Sequence, residues 1–183
     1  MSKVFEEIDD PMREWLATQR VFFVATAPIA GDGLLNLSPK GLDSFAVLGP
    51  RRVAYLDLTG SGVETIAHLR ENGRIVVMFC AFEGPPRIVR FHGRGTVTEA
   101  GTPGHDALAA KFPKHTGARA VIEIEVARIA DSCGYAVPLY RFESNRDQLG
   151  EWASRKGAEG LRAYRADHNA TSLDGLPGLR GDA

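Results

Sequence analysis

Hydrophobic and polar residues alternate with a period of two along much of this chain, the mark of strands with one buried face. Ala120-Val121-Ile122-Glu123-Ile124-Glu125-Val126 does so cleanly and predicts a strand with Ile122, Ile124 and Val126 inward. Arg87 to Val97 alternates too, with Val89, Phe91 and Val97 on one face and Arg90, His92 and Arg94 on the other. Gly93 and Gly95 inside that run mark a bend or bulge, a common device for curling a sheet into a barrel. Val21 to Thr26 is β-branched and aromatic, and the turn Ala30-Gly31-Asp32-Gly33 predicts a hairpin into Leu34 to Ser38. Pro39 cannot donate to a ladder and reads as an interruption, after which Ser44 to Leu48 resumes extended structure. Val53 to Leu58 is a further strand. Arg74 to Phe82 is apolar on both faces and so predicts a central strand covered on each side. A last short strand is expected near Leu139 to Phe142.

Helical spacing is sparser. Asp10-Pro11 opens a short helix, with Asp10 as N-cap, that aligns Met12, Trp15 and Leu16. Val63 to Leu69 is a second helix, closed at Glu71-Asn72-Gly73 by a glycine in the usual capping place. Pro103 to Phe112 is a third. From Asn145 to Asp167 the pattern is helical, first with Leu149, Trp152 and Ala153 and then with Leu161 and Tyr164. Gly157 and Gly160 leave open whether this is one helix or two. Asn169 to Ala183 holds too little apolar material to fold on its own. Six or more strands with glycine-marked bends and peripheral helices predict a mainly β (α+β) fold built as a small barrel.

Composition narrows this picture. A chain of 183 residues fits a single domain, 1–183, with a core at about 20–143 and a helical tail at 144–183. The net charge of −1 offers no basic excess for nucleic acid. The start lacks the pattern of a secretory signal, and the longest apolar runs, Val21 to Ala27 and Ile75 to Phe82, fall short of the roughly 20 residues a membrane helix needs. A cytoplasmic protein is expected. Cys80 and Cys133 fit no metal or redox spacing, the five histidines form no helical pair, and no structural metal is expected.

The candidate chemistry sits between the strand Val53–Leu58 and the helix after it. Thr59-Gly60-Ser61-Gly62 is a corner of small residues, whose glycines bring backbone close to a ligand and tolerate positive φ. Thr59 and Ser61 add hydroxyls, and the helix start presents N–H groups without intrahelical partners, so a phosphate is the natural guest.

Asn36-Leu37-Ser38-Pro39-Lys40-Gly41, the run Val53 to Gly62, the helix Glu64 to Asn72 and Arg87 to Gly93 together resemble the FMN-binding split-barrel family whose best-known member is pyridoxamine 5′-phosphate oxidase. The likeness spans Val21 to Val97 closely and the later strands loosely. It implies a dimeric split barrel holding one FMN per subunit at the interface. By position, the flavin phosphate falls to Leu58, Thr59, Gly60, Ser61, Glu64 and Thr65, while Ser38, Pro39 and Lys40 lie along the flavin. Members usually carry a lysine at the helix start and an arginine on the preceding strand; here those places are Thr65 and Ser38. The balancing charge is assigned to Lys40, with Arg87 or Arg90 next. Tyr135 and Val137 are candidates for contact from the second subunit.

The resemblance implies an FMN-dependent oxidoreductase, with NADH or NADPH as candidate electron donors; no residue stands out as a proton donor, and His92, which could serve, lies on the polar face of its strand as a solvated histidine would. The C-terminal Arg and Trp motifs that bind the vitamer in the true oxidase are absent, which argues against oxidation of pyridoxamine phosphate. Two alternatives stand beside this reading: a non-catalytic flavin binder or sensor, and the same barrel holding a deazaflavin or haem.

Overall fold

The computed structural model describes residues 3–180. Eight strands and four helices follow in the order β1 (Val4–Phe5), α1 (Asp10–Thr18), β2 (Phe22–Thr26), β3 (Asn36–Lys40), β4 (Phe45–Gly49), β5 (Arg52–Leu58), α2 (Glu64–Asn72), β6 (Arg74–Cys80), β7 (Ile88–Glu99), α3 (His105–Ala109), β8 (Ala118–Ser132) and α4 (Gln148–His168). They form one antiparallel sheet in the order β3-β2-β6-β7-β8-β5-β4, with β1 added on β8. The sheet curls until its two ends face each other. Phe45 on β4 packs 5.3 Å from Phe22 on β2 and 4.8 Å from Phe79 on β6, between ring centroids. The seam is thus closed by aromatic packing rather than by a ladder, which makes the α+β architecture a split barrel.

The bend falls where the glycines predicted it. The register of β7 on β8 shifts between His92 and Gly93, and a Cβ at Gly93 would run into the Glu125 carbonyl. Gly95 lies under Leu69, so a side chain there would push α2 off β7. The inward set Val89, Phe91, Ile122, Ile124 and Val126 is buried with Phe79, Val77, Met12 and Leu16 in one core. Val97 packs against it while only partly buried. On the outer face, Leu56 and Val121 meet Phe112 beside α3.

Several expectations need correction. The N-cap of α1 is Asp9, one residue before Asp10, and its side chain accepts from the Met12 N–H. Pro39 does not interrupt: β3 runs through it, because β3 is an edge strand and a missing donor on its outer side costs nothing. β6 is buried on its inner face only, with Val76 and Met78 on the other face half-buried. Leu139–Phe142 is not a strand. The Tyr140 N–H donates to the Phe82 carbonyl at 2.8 Å, but no ladder follows, and Leu139 and Tyr140 stay exposed for want of a core to meet.

The tail resolves as two helical segments that break at Gly157, whose φ of 65° suits glycine. Its last part packs back on the barrel rather than standing alone. Asn169 is buried, Gly178 lies against Val63, and Leu179 joins the core. The end of the tail, Gly181 to Ala183, lies outside the described residues.

Candidate functional site

The corner after β5 joins the barrel to α2, and Asp57, Arg119 and Asn169 beneath it are buried. Asp57, near the end of β5, is 1% exposed. Its Oδ1 accepts from Lys40 Nζ at 3.2 Å and its Oδ2 from Arg119 Nε at 2.6 Å. Burial alone would raise the Asp57 carboxyl; the charges of Arg119 and Lys40 and their hydrogen bonds outweigh it and hold the group below its ordinary value. Arg119 Nη1 donates to Asn169 Oδ1 at 2.8 Å, and Asn169 Nδ2 donates to the Gly60 carbonyl at 3.0 Å. The end of α4 is therefore pinned under the corner. Beside this network the Tyr55 hydroxyl is fully buried, and burial, then the Asp57 charge, push it well above its ordinary value against the opposing pull of Arg119 and Thr65.

Thr59 is buried and already paired. Its hydroxyl donates to the Gly117 carbonyl at 2.7 Å and accepts from Arg165 Nε at 2.9 Å. Arg165 Nη2 donates to the Ala118 carbonyl at 3.0 Å. Burial, then the like charge of Arg119, depress the Arg165 guanidinium. Two cations, Lys40 and Arg119, thus hold one buried carboxylate, and a third, Arg165, joins them through Thr59.

Above the network the corner is open. Ser61 is exposed, and a Cβ at Gly60 would meet nothing within 4 Å. Neither Gly60 nor Gly62 has positive φ, and a Cβ at Gly62 would meet only the far end of the Glu64 side chain, so neither backbone shape nor packing within the chain demands glycine here. The N-cap of α2 is Val63, with no side-chain cap bond, which leaves the first N–H groups unpaired by a cap. The nearest anion is Glu64, whose carboxylate folds over Gly62. Thr65 is buried and accepts from Asn36 Nδ2 at 2.9 Å, tying β3 to α2.

Around this corner the structure brings together Lys40, Leu58, Thr59, Gly60, Ser61, Glu64 and Thr65, with Ser38 and Pro39 alongside Lys40 on β3. Arg87, Arg90 and Tyr135 are not brought there within one chain. Leu58 pairs with Ala118 at one end of β8, whereas Arg90 pairs with Ala130 and Ile88 with Ser132 at the other. The two ends are about 45 Å apart along the strand at roughly 3.3 Å per residue. At that far end Arg87 lies 3.6 Å from Asp131, Arg90 donates to Ser132 Oγ, and Tyr135 is exposed. The His92 ring is partly buried, and burial, then Arg128 and Arg90, lower its pKa, so it is a poor proton donor near neutrality.

Sequence reasoning missed Arg119, Arg165 and Asn169. A faint signal existed for two of them: Leu161, Arg165 and Asn169 recur at four-residue spacing, so they share the helical face that Leu161 buries. Arg119 opens β8 just ahead of the apolar run Ala120–Ile122, with nothing local to mark it.

A curled antiparallel sheet with its seam unbonded, and a hydroxyl- and glycine-rich corner over one buried and one half-buried arginine, define a small split-barrel protein with a candidate anion site. Residues 8–133 match the family described as pyridoxamine 5′-phosphate oxidase. The chain is 43% identical to the pyridoxamine 5′-phosphate oxidase family protein ustO of Aspergillus flavus, across 96% of this chain and 77% of that one. This chain belongs to the pyridoxamine 5′-phosphate oxidase family. Among solved structures it is similar to a candidate pyridoxamine 5′-phosphate oxidase of Lactobacillus delbrueckii, with a TM-score of 0.53 at 17% identity, covering 69% of this chain and 98% of that one. It is also similar to HupZ of Group A Streptococcus, with a TM-score of 0.51 at 24% identity, covering 67% and 91%. At such identities these two share the fold.

Proposed function

We propose that the protein is an FMN-dependent oxidoreductase acting on a small molecule, with the flavin phosphate held at the Thr59–Gly62 corner. The observation that carries this reading is the charge imbalance there. Lys40 and Arg119 share one carboxylate, Asp57, and Arg165 stands on Thr59 without an ion pair among the described residues, beneath a corner with an exposed serine and the uncapped start of α2. A partly buried excess of positive charge calls for an anion, and a phosphate meets both the cations and the free N–H groups. Family membership makes a flavin phosphate the natural form of that anion.

Ser61 and the first N–H groups of α2 would cradle the phosphate. Thr59 would hold the corner's shape, since its hydroxyl already bridges Gly117 and Arg165. Ser38, Pro39 and Lys40 on β3 would flank the ring. A bound flavin supplies hydride and single-electron chemistry, and the chain's own task is to place it and to exclude solvent. Arg87, Arg90 and Tyr135 would reach a flavin at the corner only from a second copy of the chain, so the proposal includes a homodimer.

The direct test is to purify the protein, measure its visible spectrum and identify any bound chromophore by mass. FMN is the expected result, with bleaching by NADH or NADPH and recovery in air. A colourless protein that takes up no added FMN overturns the reading. Bound FMN that no donor reduces leaves a binding protein and removes the oxidoreductase.

A further inference from the structure

Resting on that flavin reading, we infer that Arg165 of the C-terminal helix is the residue that pairs with the flavin phosphate. In this chain the cation comes from outside the barrel. Of the cations whose contacts reach the corner, two are already committed. Lys40 is held by Asp57 Oδ1, and Arg119 by Asp57 Oδ2 and Asn169 Oδ1. Arg165 has no carboxylate within ion-pair distance among the described residues. Burial and the like charge of Arg119 both act against its proton, and no acid helps retain it.

Its plane is fixed from two sides. Nε donates to Thr59 Oγ1, and Nη2 donates to the Ala118 carbonyl and, more weakly, to that of Gly117. Its Nη1 hydrogens make no hydrogen bond among the described residues. The side chain meets only a hydroxyl and two carbonyls, so no opposite charge among the described residues balances it. A dianion at the corner would, and it would meet a guanidinium already oriented by Thr59. Neither Ser38 on β3 nor Thr65 at the start of α2 carries a charge, and Arg165 supplies one from the C-terminal helix. Flavin binding therefore depends on the docking of the tail, which Asn169 secures through Arg119 and Gly60.

The test compares FMN with riboflavin, which lacks the phosphate, by fluorescence titration of the full chain. Arg165→Gln keeps hydrogen-bond donors and removes the charge. It is expected to weaken FMN about tenfold or more, the scale of a charge-assisted hydrogen bond, and to leave riboflavin affinity unchanged. Arg165→Lys should recover part of the loss. If Arg165→Ala does not fold, the Gln and Lys variants carry the test, with thermal melting as the check on folding. Equal FMN affinity in wild type and Arg165→Gln, or equal losses for FMN and riboflavin, overturns the assignment while the flavin reading stands. A wild-type protein that binds neither flavin defeats the flavin reading itself.

Discussion

The two ends of β8 are built on opposite plans. At its start, the Asp57, Arg119 and Asn169 side chains are buried, bonded to one another, and tied to the tail. Beyond its end, Tyr135, Leu139 and Tyr140 stand exposed, and a groove of about 760 Å³ opens between Trp15, Phe82, Tyr140 and Phe142. One end satisfies itself within the chain. The other leaves large apolar side chains in water, as surfaces that meet a partner do. The contrast is one of completion: the start of β8 ties its polar side chains together within the chain, whereas the far end leaves aromatic side chains exposed.

The sharpest way to break this contrast is Arg119→Leu. It leaves Asp57 buried with only Lys40 beside it, and removing one partner of a buried pair costs about 3–5 kcal/mol. Urea denaturation should show a loss of that size. A loss below about 1 kcal/mol would mean that the corner is wet and the contrast is false.

Next comes acid. Burial, set against the charges of Asp174, Glu64 and Glu71, lowers the His68 pKa, and burial with Arg128 and Arg90 lowers that of His92. Both rings therefore bind protons less readily folded than unfolded, so stability is full above pH 6.5 and falls as the pH drops below it. Each contributes up to about 1.4 kcal/mol per pH unit within its window. Asp57, also lowered, adds a second decline as pH falls below 3.8. Thermal midpoints between pH 7 and pH 5 should fall for the wild type and fall less for His68→Gln. A flat wild-type profile would sink this assignment.

The far end predicts the reverse pattern. Replacing Tyr135, Leu139 and Tyr140 together by serine should change folding stability by no more than about 0.5 kcal/mol per site, since none is in the core. Under the homodimer proposal it should shift sedimentation toward the monomer. A dimer of unchanged strength would place the interface elsewhere.

The smallest effect concerns Glu64, whose carboxylate lies over Gly62 where an incoming phosphate would sit. Glu64→Gln should tighten FMN by a few-fold, on the scale of about 0.5–1 kcal/mol for a charge at a helix start. Weaker binding in a calorimetric titration would instead make Glu64 a partner of the flavin.

Periodicity alone determined most of the strands, the inward set of β8, the bend at Gly93, the cap at Gly73 and the corner as a place of interest. These follow from local rules, because alternation, glycine and proline act within a few residues. Even its errors there were errors of context. Pro39 sits in a strand because that strand is an edge, and Leu139–Phe142 fails as a strand because no neighbour offers a ladder.

The charges of the corner were another matter. Arg119 is 62 residues from Asp57, and Arg165 is 106 from Thr59. No local pattern links residues so far apart. Only the curl of the sheet and the return of the tail bring them together, and the lack of an ion pair among the described residues then gives Arg165 its distinct character. The sequence held the cations; the tertiary structure decided which of them the barrel had already used.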